Sequence, residues 1–320
     1  MKPTLPGADP GSTPAPPPPV SPGRQAWQRL AAHRGARVAG PFLLGLLLFA
    51  LAGPWAWPVD GNAGSDLPFA PPGPGHWFGT DIHGRDSLAR VIAGTRLSLL
   101  VGLVGAGVSL GIGVAWGLVA AYAGGRVDGA MMRAVDVLDA LPNIVFVMLA
   151  MTLVEPPLSR WLAASAPGAV PAGRLLLLFA CLGAVSWLNM ARLVRSQVLV
   201  LREAAYVQAS RVLGAGPGWI LRRHLLPNVA GVILAYLTLN VPAVILYESF
   251  LSFRGLGIRP PDASLGVLIA DGAQQLNPLR VRWWLLVFPA GTLASLLLAL
   301  SVLGDGLRDA SDPRSGSAPV

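Results

Sequence analysis

The side chains able to do reactive chemistry are few and scattered. Four histidines, His33, His76, His83 and His224, are spread over three polar stretches, without an HExxH zinc pair or a GxSxG elbow. His76 and His83 share one segment but read as solvated loop histidines rather than metal ligands. Cys181, the single cysteine, lies inside an apolar run, which suits a buried thiol and leaves no disulfide partner. The only lysine is Lys2, so no Gly-rich loop can grip a phosphate with a following lysine, and the chain is not itself a Walker-A ATPase. An enzymatic reaction, a resident metal and a cofactor are therefore not expected.

What remains is charge and chain geometry at particular depths. Asp128, Arg133, Asp136 and Asp139 fall roughly on one helical side at the start of an apolar stretch, where Arg133 and Asp136 are spaced to pair. Glu248 sits near the end of another apolar stretch, where an ionisable group must face protein or water, as a structural hydrogen-bonding group or as part of a pathway. Residues 192–228 are too polar for a membrane yet rich in helix formers. At about 100° per residue, Ala205, Tyr206, Ala209, Val212 and Leu213 share one arc, Glu203, Gln208, Ser210 and Arg211 the opposite one, and Val207 falls on the polar side. Gly214 suits the left-handed position after a helix, Gly216-Pro217-Gly218 prevents immediate continuation, and Pro227 limits a second short helix. The apolar arc is small and Ala-rich, better matched to a protein groove than to the lipid surface an amphipathic helix would seek.

These groups need a membrane scaffold. Of 320 residues 53% are hydrophobic and 12% charged, against about 45–50% and about 25% in soluble domains, and the mean hydropathy is +0.57. Apolar runs at 38–57, 96–122, 130–154, 174–190, 229–251 and 283–303 each approach the roughly 20 residues that carry a helix across about 30 Å of hydrocarbon. The predicted fold is an all-α membrane protein with six transmembrane helices. Residues 1–37 read as a disordered Pro-rich tail and a basic cytoplasmic stretch, and 38–57 as the first span. An extracytoplasmic loop at 58–95 leads to a core of five spans at 96–303, which contains loop 192–228, and 304–320 form a cytoplasmic tail. The excess of arginine in the first, third and fifth polar segments places both termini inside, so the +8 charge marks orientation rather than nucleic-acid binding. Gly102, Gly105, Gly107, Gly111, Gly113 and Gly117 let neighbouring helices approach the second span. Ionisable residues gather at span ends rather than centres, which argues against an ion-coupled secondary transporter.

Gln208-Ala209-Ser210, Gly214 and Leu226-Pro227 resemble the EAA loop of ATP-binding-cassette (ABC) importer permeases, with Gln where that family prefers Glu and His224 at a usual Ile position. The literal Glu203-Ala204-Ala205 lies out of register with Gly214. Phe78-Gly79-Thr80-Asp81 and Gly84-Arg85-Asp86, followed by Arg90, Gly94, Arg96 and Ser98, look like the FGTDxxGRD stretch of dipeptide, oligopeptide and nickel permeases, in the second of their two permease subunits. Glu248-Ser249-Phe250-Leu251-Ser252-Phe253, Gly255-Leu256-Gly257 and Pro260-Pro261 are similar to that subfamily's ESFLSFLGLGxxPP run, and Gly304 to Asp309 with Asp312-Pro313-Arg314 to its ending. Arg254 and Leu265 depart from the usual Leu and Trp, in a segment expected to meet a binding protein.

The resemblance covers residues 76–314 and implies a type I importer architecture in a bacterial inner membrane. It implies a homologous second permease subunit, two cytoplasmic ATP-binding subunits and an extracytoplasmic substrate-binding protein as partners. Glu203, Tyr206, Gln208, Ala209, Ser210, Gly214, Leu226 and Pro227 would form the coupling loop that docks on an ATPase. Gly79, Asp81, Gly84, Arg85 and Asp86 would form an extracytoplasmic motif, and Glu248, Ser252, Gly255 and Gly257 would contribute to a pathway or gate. The implied cargo is a peptide, with nickel or another small solute as the alternative.

Overall fold

The computed structural model describes residues 28–259, 262–277 and 280–311. The Pro-rich tail, Pro260-Pro261 and Asp312-Pro313-Arg314 lie outside the described residues. After a helical stretch at 28–32, the α-helices in chain order among the described residues are α1 (Arg34–Ala56), α2 (Ser87–Ala123), α3 (Gly125–Asp139), α4 (Asn143–Ser165), α5 (Val170–Leu201), α6 (Ala205–Val212), α7 (Pro217–Phe253), α8 (Leu265–Gln274) and α9 (Trp284–Ser311). Two short antiparallel strands, β1 (Leu276–Asn277) and β2 (Arg280–Val281), separate α8 from α9. Among the described residues, α1, α2, α4, α5, α7 and α9 are long and apolar enough to cross a membrane. Their alternating directions leave Gly79, Gly84 and α8 at one end of the bundle and α3, α6 and Gly214 at the other.

The sequence sets the starts of these helices through side-chain caps. Asp86 accepts from the Ala89 N–H at the start of α2, and Ser264 from Val267 at the start of α8. At the far end of α2, Gly124 (φ 66°) and Gly125 (φ 53°) take left-handed conformations and reverse the chain into α3.

α2 starts at Ser87 rather than Arg96, so Arg90 and Gly94 are helical instead of lying in the expected loop. The expected span at 130–154 is two helices. Pro142 disfavours helical geometry at Leu141, so α3 ends at Asp139 and the membrane-length element begins at Asn143. Arg133 and Asp136 do not form the expected pair. Arg192 of α5 reaches Asp136 at 3.2 Å and Asp139 at 2.9 Å, while Arg195 grips both oxygens of Asp128.

Pro227 does not end a helix either. The chain runs helically from Pro217 to Phe253, through a π-helical turn at Leu221–Leu225 just before the proline. That wider turn accommodates a residue with no N–H and a ring that crowds the preceding turn.

The six glycines of α2 divide by neighbour. A Cβ on Gly102, Gly105, Gly113 or Gly117 would come within 2.5–2.7 Å of Ile245, Val244, Met190 or Ala191 atoms, so α5 and α7 pack on backbone there. Gly107 and Gly111 have nothing within 4 Å. Of four apolar cores among the described residues, two bear on the ends of the bundle. One, around Met151, Leu178, Leu182, Val244 and Leu251, lies toward the Gly79 end; the other, around Met190, Val194, Val207, Ile220 and Leu225, lies toward the Gly214 end. Cys181 is buried in the first.

Candidate functional site

α6 is held to the bundle by one apolar residue and a ring of polar contacts. Val207, the residue that broke the amphipathic pattern, is fully buried in the second core. Gln208 donates to the Arg202 carbonyl (3.2 Å), Arg211 lies over the Tyr122 ring, and the Ser210 hydroxyl meets His224 Nε2 at 3.0 Å. The polar arc therefore faces the bundle and the apolar arc faces away, with Val212 and Leu213 each 87% exposed. Glu203 lies ahead of the helix, 3.0 Å from Arg202.

Gly214 ends α6 at φ 84°, its N–H on the Arg211 carbonyl while the Ala215 N–H returns to Ser210, the paired bonds of a Schellman cap. His224, outside the expected site residues, also packs between Trp219 and Tyr206 and so ties α6 to the start of α7. Leu226 and Pro227 are exposed on that same stretch of α7.

At the other end, Gly79 to Asp86 form a folded knot. Gly79 and Gly84 both have φ 71°, and a Cβ would lie 2.6 Å from the Ala70 carbonyl at Gly79 and would collide with the Ser65 carbonyl at Gly84. Asp81 accepts from the N–H groups of His83 and Arg85, from Arg85 Nε at 2.7 Å and from Arg90 Nη1 at 2.7 Å. Asp86 accepts from Trp57 and meets His76 at 2.8 Å, so that histidine is a structural partner rather than a solvated one.

Burial pushes the Asp81 carboxyl up, but the Arg85 and His83 backbone N–H groups and the Arg85 guanidinium outweigh it and hold it below the usual carboxylate range. A depressed folded value makes its stabilisation fully present above the unfolded value of about 3.9 and lost as pH falls through the folded one. Amide exchange from Ala70 to Arg85 is expected to stay slow from pH 7 to about 4 and accelerate below that. In Asp81→Asn it should already be fast at pH 7.

Residues 113–317 match the family described as binding-protein-dependent transport system inner membrane component, and residues 21–72 match the N-terminal transmembrane domain of oligopeptide transport permease C. The oligopeptide transport system permease protein OppC of Escherichia coli K12 is 41% identical over 299 residues, which cover 91% of this chain and 92% of that protein. The dipeptide transport system permease protein DppC of Bacillus subtilis is 42% identical over 292 residues, 91% of this chain and 85% of the relative. OppC of Haemophilus influenzae is 39% identical over 299 residues, 91% and 90%.

The chain belongs to this family of inner membrane permeases. It is a multi-pass membrane transporter rather than an enzyme, and its six-helix bundle is the permease fold of the family.

Within this permease, Glu248 is fully buried. Ser252 donates to it at 2.6 Å, Ser98 at 3.3 Å and Ser249 at 3.4 Å. Two of those hydroxyls pass the connection on, Ser252 accepting from the Ile258 N–H and Ser98 from the Leu265 N–H. The carboxyl thus joins α2, α7, the segment after α7 and the start of α8. Gly257 packs on Ser252, and Gly255 takes φ 77° in the turn that ends α7.

Leu265 is buried beneath this joint, so its departure from the usual Trp concerns packing, whereas Arg254 is exposed. The α3 to α5 ion pairs escaped sequence reasoning because each joins residues far apart in the chain; only the acidic run from Asp128 to Asp139 hinted at them.

Proposed function

We propose that this permease is one half of the translocation unit of an ATP-driven importer. It would move peptides received from an extracytoplasmic binding protein into the cytoplasm by alternating access. The observation that carries the reading is the inverted α6, whose polar arc is spent on the bundle while Val212 and Leu213 stand exposed at its tip. An apolar tip outside the membrane-length helices, on a helix fixed by Val207, suits docking on a soluble subunit. The chain itself has no nucleotide-binding lysine loop, so the energy must come from such a subunit.

With α6 on the cytoplasmic side, both termini are cytoplasmic and the Gly79 knot and α8 face outward, toward the binding protein and a homologous second permease. Peptides are the cargo favoured by relatives named as oligopeptide and dipeptide permeases. Two measurements test this. Cells producing all subunits should accumulate labelled dialanine only when this chain is present; equal accumulation without it would remove the peptide reading. A phosphatase fused after residue 320 should be inactive, and periplasmic activity of that fusion would overturn the orientation.

A further inference from the structure

α3 stands where part of a span was expected, yet its 15 residues are too few to cross the bilayer. It joins α2 to α4 at the α6 end of the bundle, the end assigned above to the cytoplasm.

One side of α3 is fixed to the bundle. Val135 is fully buried with Trp187, Leu188 and Ala191 of α5, and Met132 and Trp116 pack against the same cluster. The Trp116 indole donates to the Met131 carbonyl at 3.3 Å and meets Trp187 edge-on, with ring centroids 5.0 Å apart. Arg195 holds Asp128, and Arg192 holds Asp136 and Asp139, so all three carboxylates of α3 are matched by guanidinium groups of α5.

The opposite side is apolar and faces away from the bundle. At about 100° per residue, Val127, Ala130, Ala134, Val137 and Leu138 fall within an arc of about 100°. All five are exposed, Val137 by 67% and Val127 by 51%. Arg126 and Arg133, also exposed, border one edge of the arc.

Depth and charge select what covers this side. The Trp116–Trp187 pair, the arginines of α5 and the ends of two membrane-length helices meet at this level, and aromatic and basic residues gather so at a bilayer interface. With the carboxylates neutralised by α5, Arg126 and Arg133 make the outward side basic. A basic edge beside an apolar arc is the pattern of a helix lying in that interface, with its cations among anionic headgroups. A protein partner would favour aromatic anchors, and the arc contains none.

We propose that α3 is an interfacial helix whose outward side binds anionic phospholipid of the inner leaflet. Arg126 and Arg133 would meet headgroup phosphates, and Val127, Ala134 and Leu138 the first acyl carbons. The orientation proposed above decides only which leaflet is met.

The test uses the complete transporter in lipid nanodiscs, with partner subunits free of cysteine, Cys181→Ala in this chain and a bimane fluorophore attached at Leu138→Cys. Brominated phosphatidylglycerol should quench the bimane at a mole fraction at least about fivefold lower than brominated phosphatidylcholine, the preference that one basic side chain gives near an anionic surface. In Arg126→Gln/Arg133→Gln the two lipids should quench equally, and quenching itself should persist. Val137→Cys repeats the measurement at the more exposed position if Leu138→Cys does not assemble.

Quenching by neither lipid, or equal quenching by both in the chain that keeps Arg126 and Arg133, would overturn the proposal. Quenching that appears only after the ATP-binding subunits are stripped away would assign this side to a protein partner and overturn it too. Nanodiscs offer both leaflets the same lipid, so these results stand whichever way the phosphatase fusion reads.

Discussion

Gly214→Asp is expected to reduce uptake of labelled dialanine by more than about tenfold while the protein reaches the membrane in normal amount. The left-handed backbone at φ 84° penalises any β-carbon, by roughly 1–2 kcal/mol. Nothing lies within 4 Å of that position, so the strain stays local and the bundle should fold. The larger effect is electrostatic. A carboxylate beside Val212 and Leu213 would enter the proposed docking surface unpaired, and burying an uncompensated charge costs several kcal/mol, where about 1.4 is a factor of ten. Gly214→Ala separates the terms, because it adds the strain without the charge and should cost less. Immunoblots of membranes and uptake at saturating dialanine measure both, and normal uptake by Gly214→Asp would remove α6 from the coupling role.

Glu248→Ala is expected to destabilise the end of the bundle around α8, whereas Glu248→Gln should be tolerated. Alanine leaves the hydroxyls of Ser98, Ser249 and Ser252 without their buried acceptor, at about 1–3 kcal/mol for each orphaned group. Two of those hydroxyls also hold the Ile258 and Leu265 N–H groups, so the loss extends from α7 into the segments beyond it. A fall of about 5 °C or more in the unfolding midpoint of the detergent-solubilised protein follows from that size of loss. Glutamine keeps an acceptor oxygen and the shape. A midpoint unchanged in Glu248→Ala would show that the serine ring is not the joint described above.

The interiors of the spans were legible in the sequence because apolar side chains in lipid are one-dimensional information. Their ends were not. Arg192, Arg195 and Arg202 look like loop residues to a hydropathy reading, yet α5 continues through Arg195 as far as Leu201 because Asp128, Asp136 and Asp139 of α3 meet its arginines. Those partners are brought together by the reversal at Gly124 and Gly125, which no local periodicity encodes.

The loop helix shows the same division. Its amphipathic arcs could be drawn from spacing, and Gly214 could be placed in its left-handed turn. Which arc faced inward depended on Val207 meeting Ile220 and Leu225, a contact made only after α7 folds back. The glycine motif at 79–86 was readable as a pattern, but the reason for its glycines lay in the carbonyls of Ala70 and Ser65.

The length of the helices has a mechanical consequence. α2 and α7 contain 37 residues each, about 55 Å, where the hydrocarbon needs about 30 Å. α2, which has no internal proline, would act as a stiff rod with a long arm beyond its fulcrum in the bilayer, whereas α7 carries its π-helical turn and Pro242 as bending points. A rock of only about 5° displaces one tip relative to the other by about 5 Å over that length. That is the scale of a side chain, enough to part or join two surfaces without breaking a single backbone hydrogen bond. Stroke length in such a device is set by the number of residues in the rod, so trimming or adding a helical turn between Gly117 and Ala123 of α2 would change its gearing before it changed its strength.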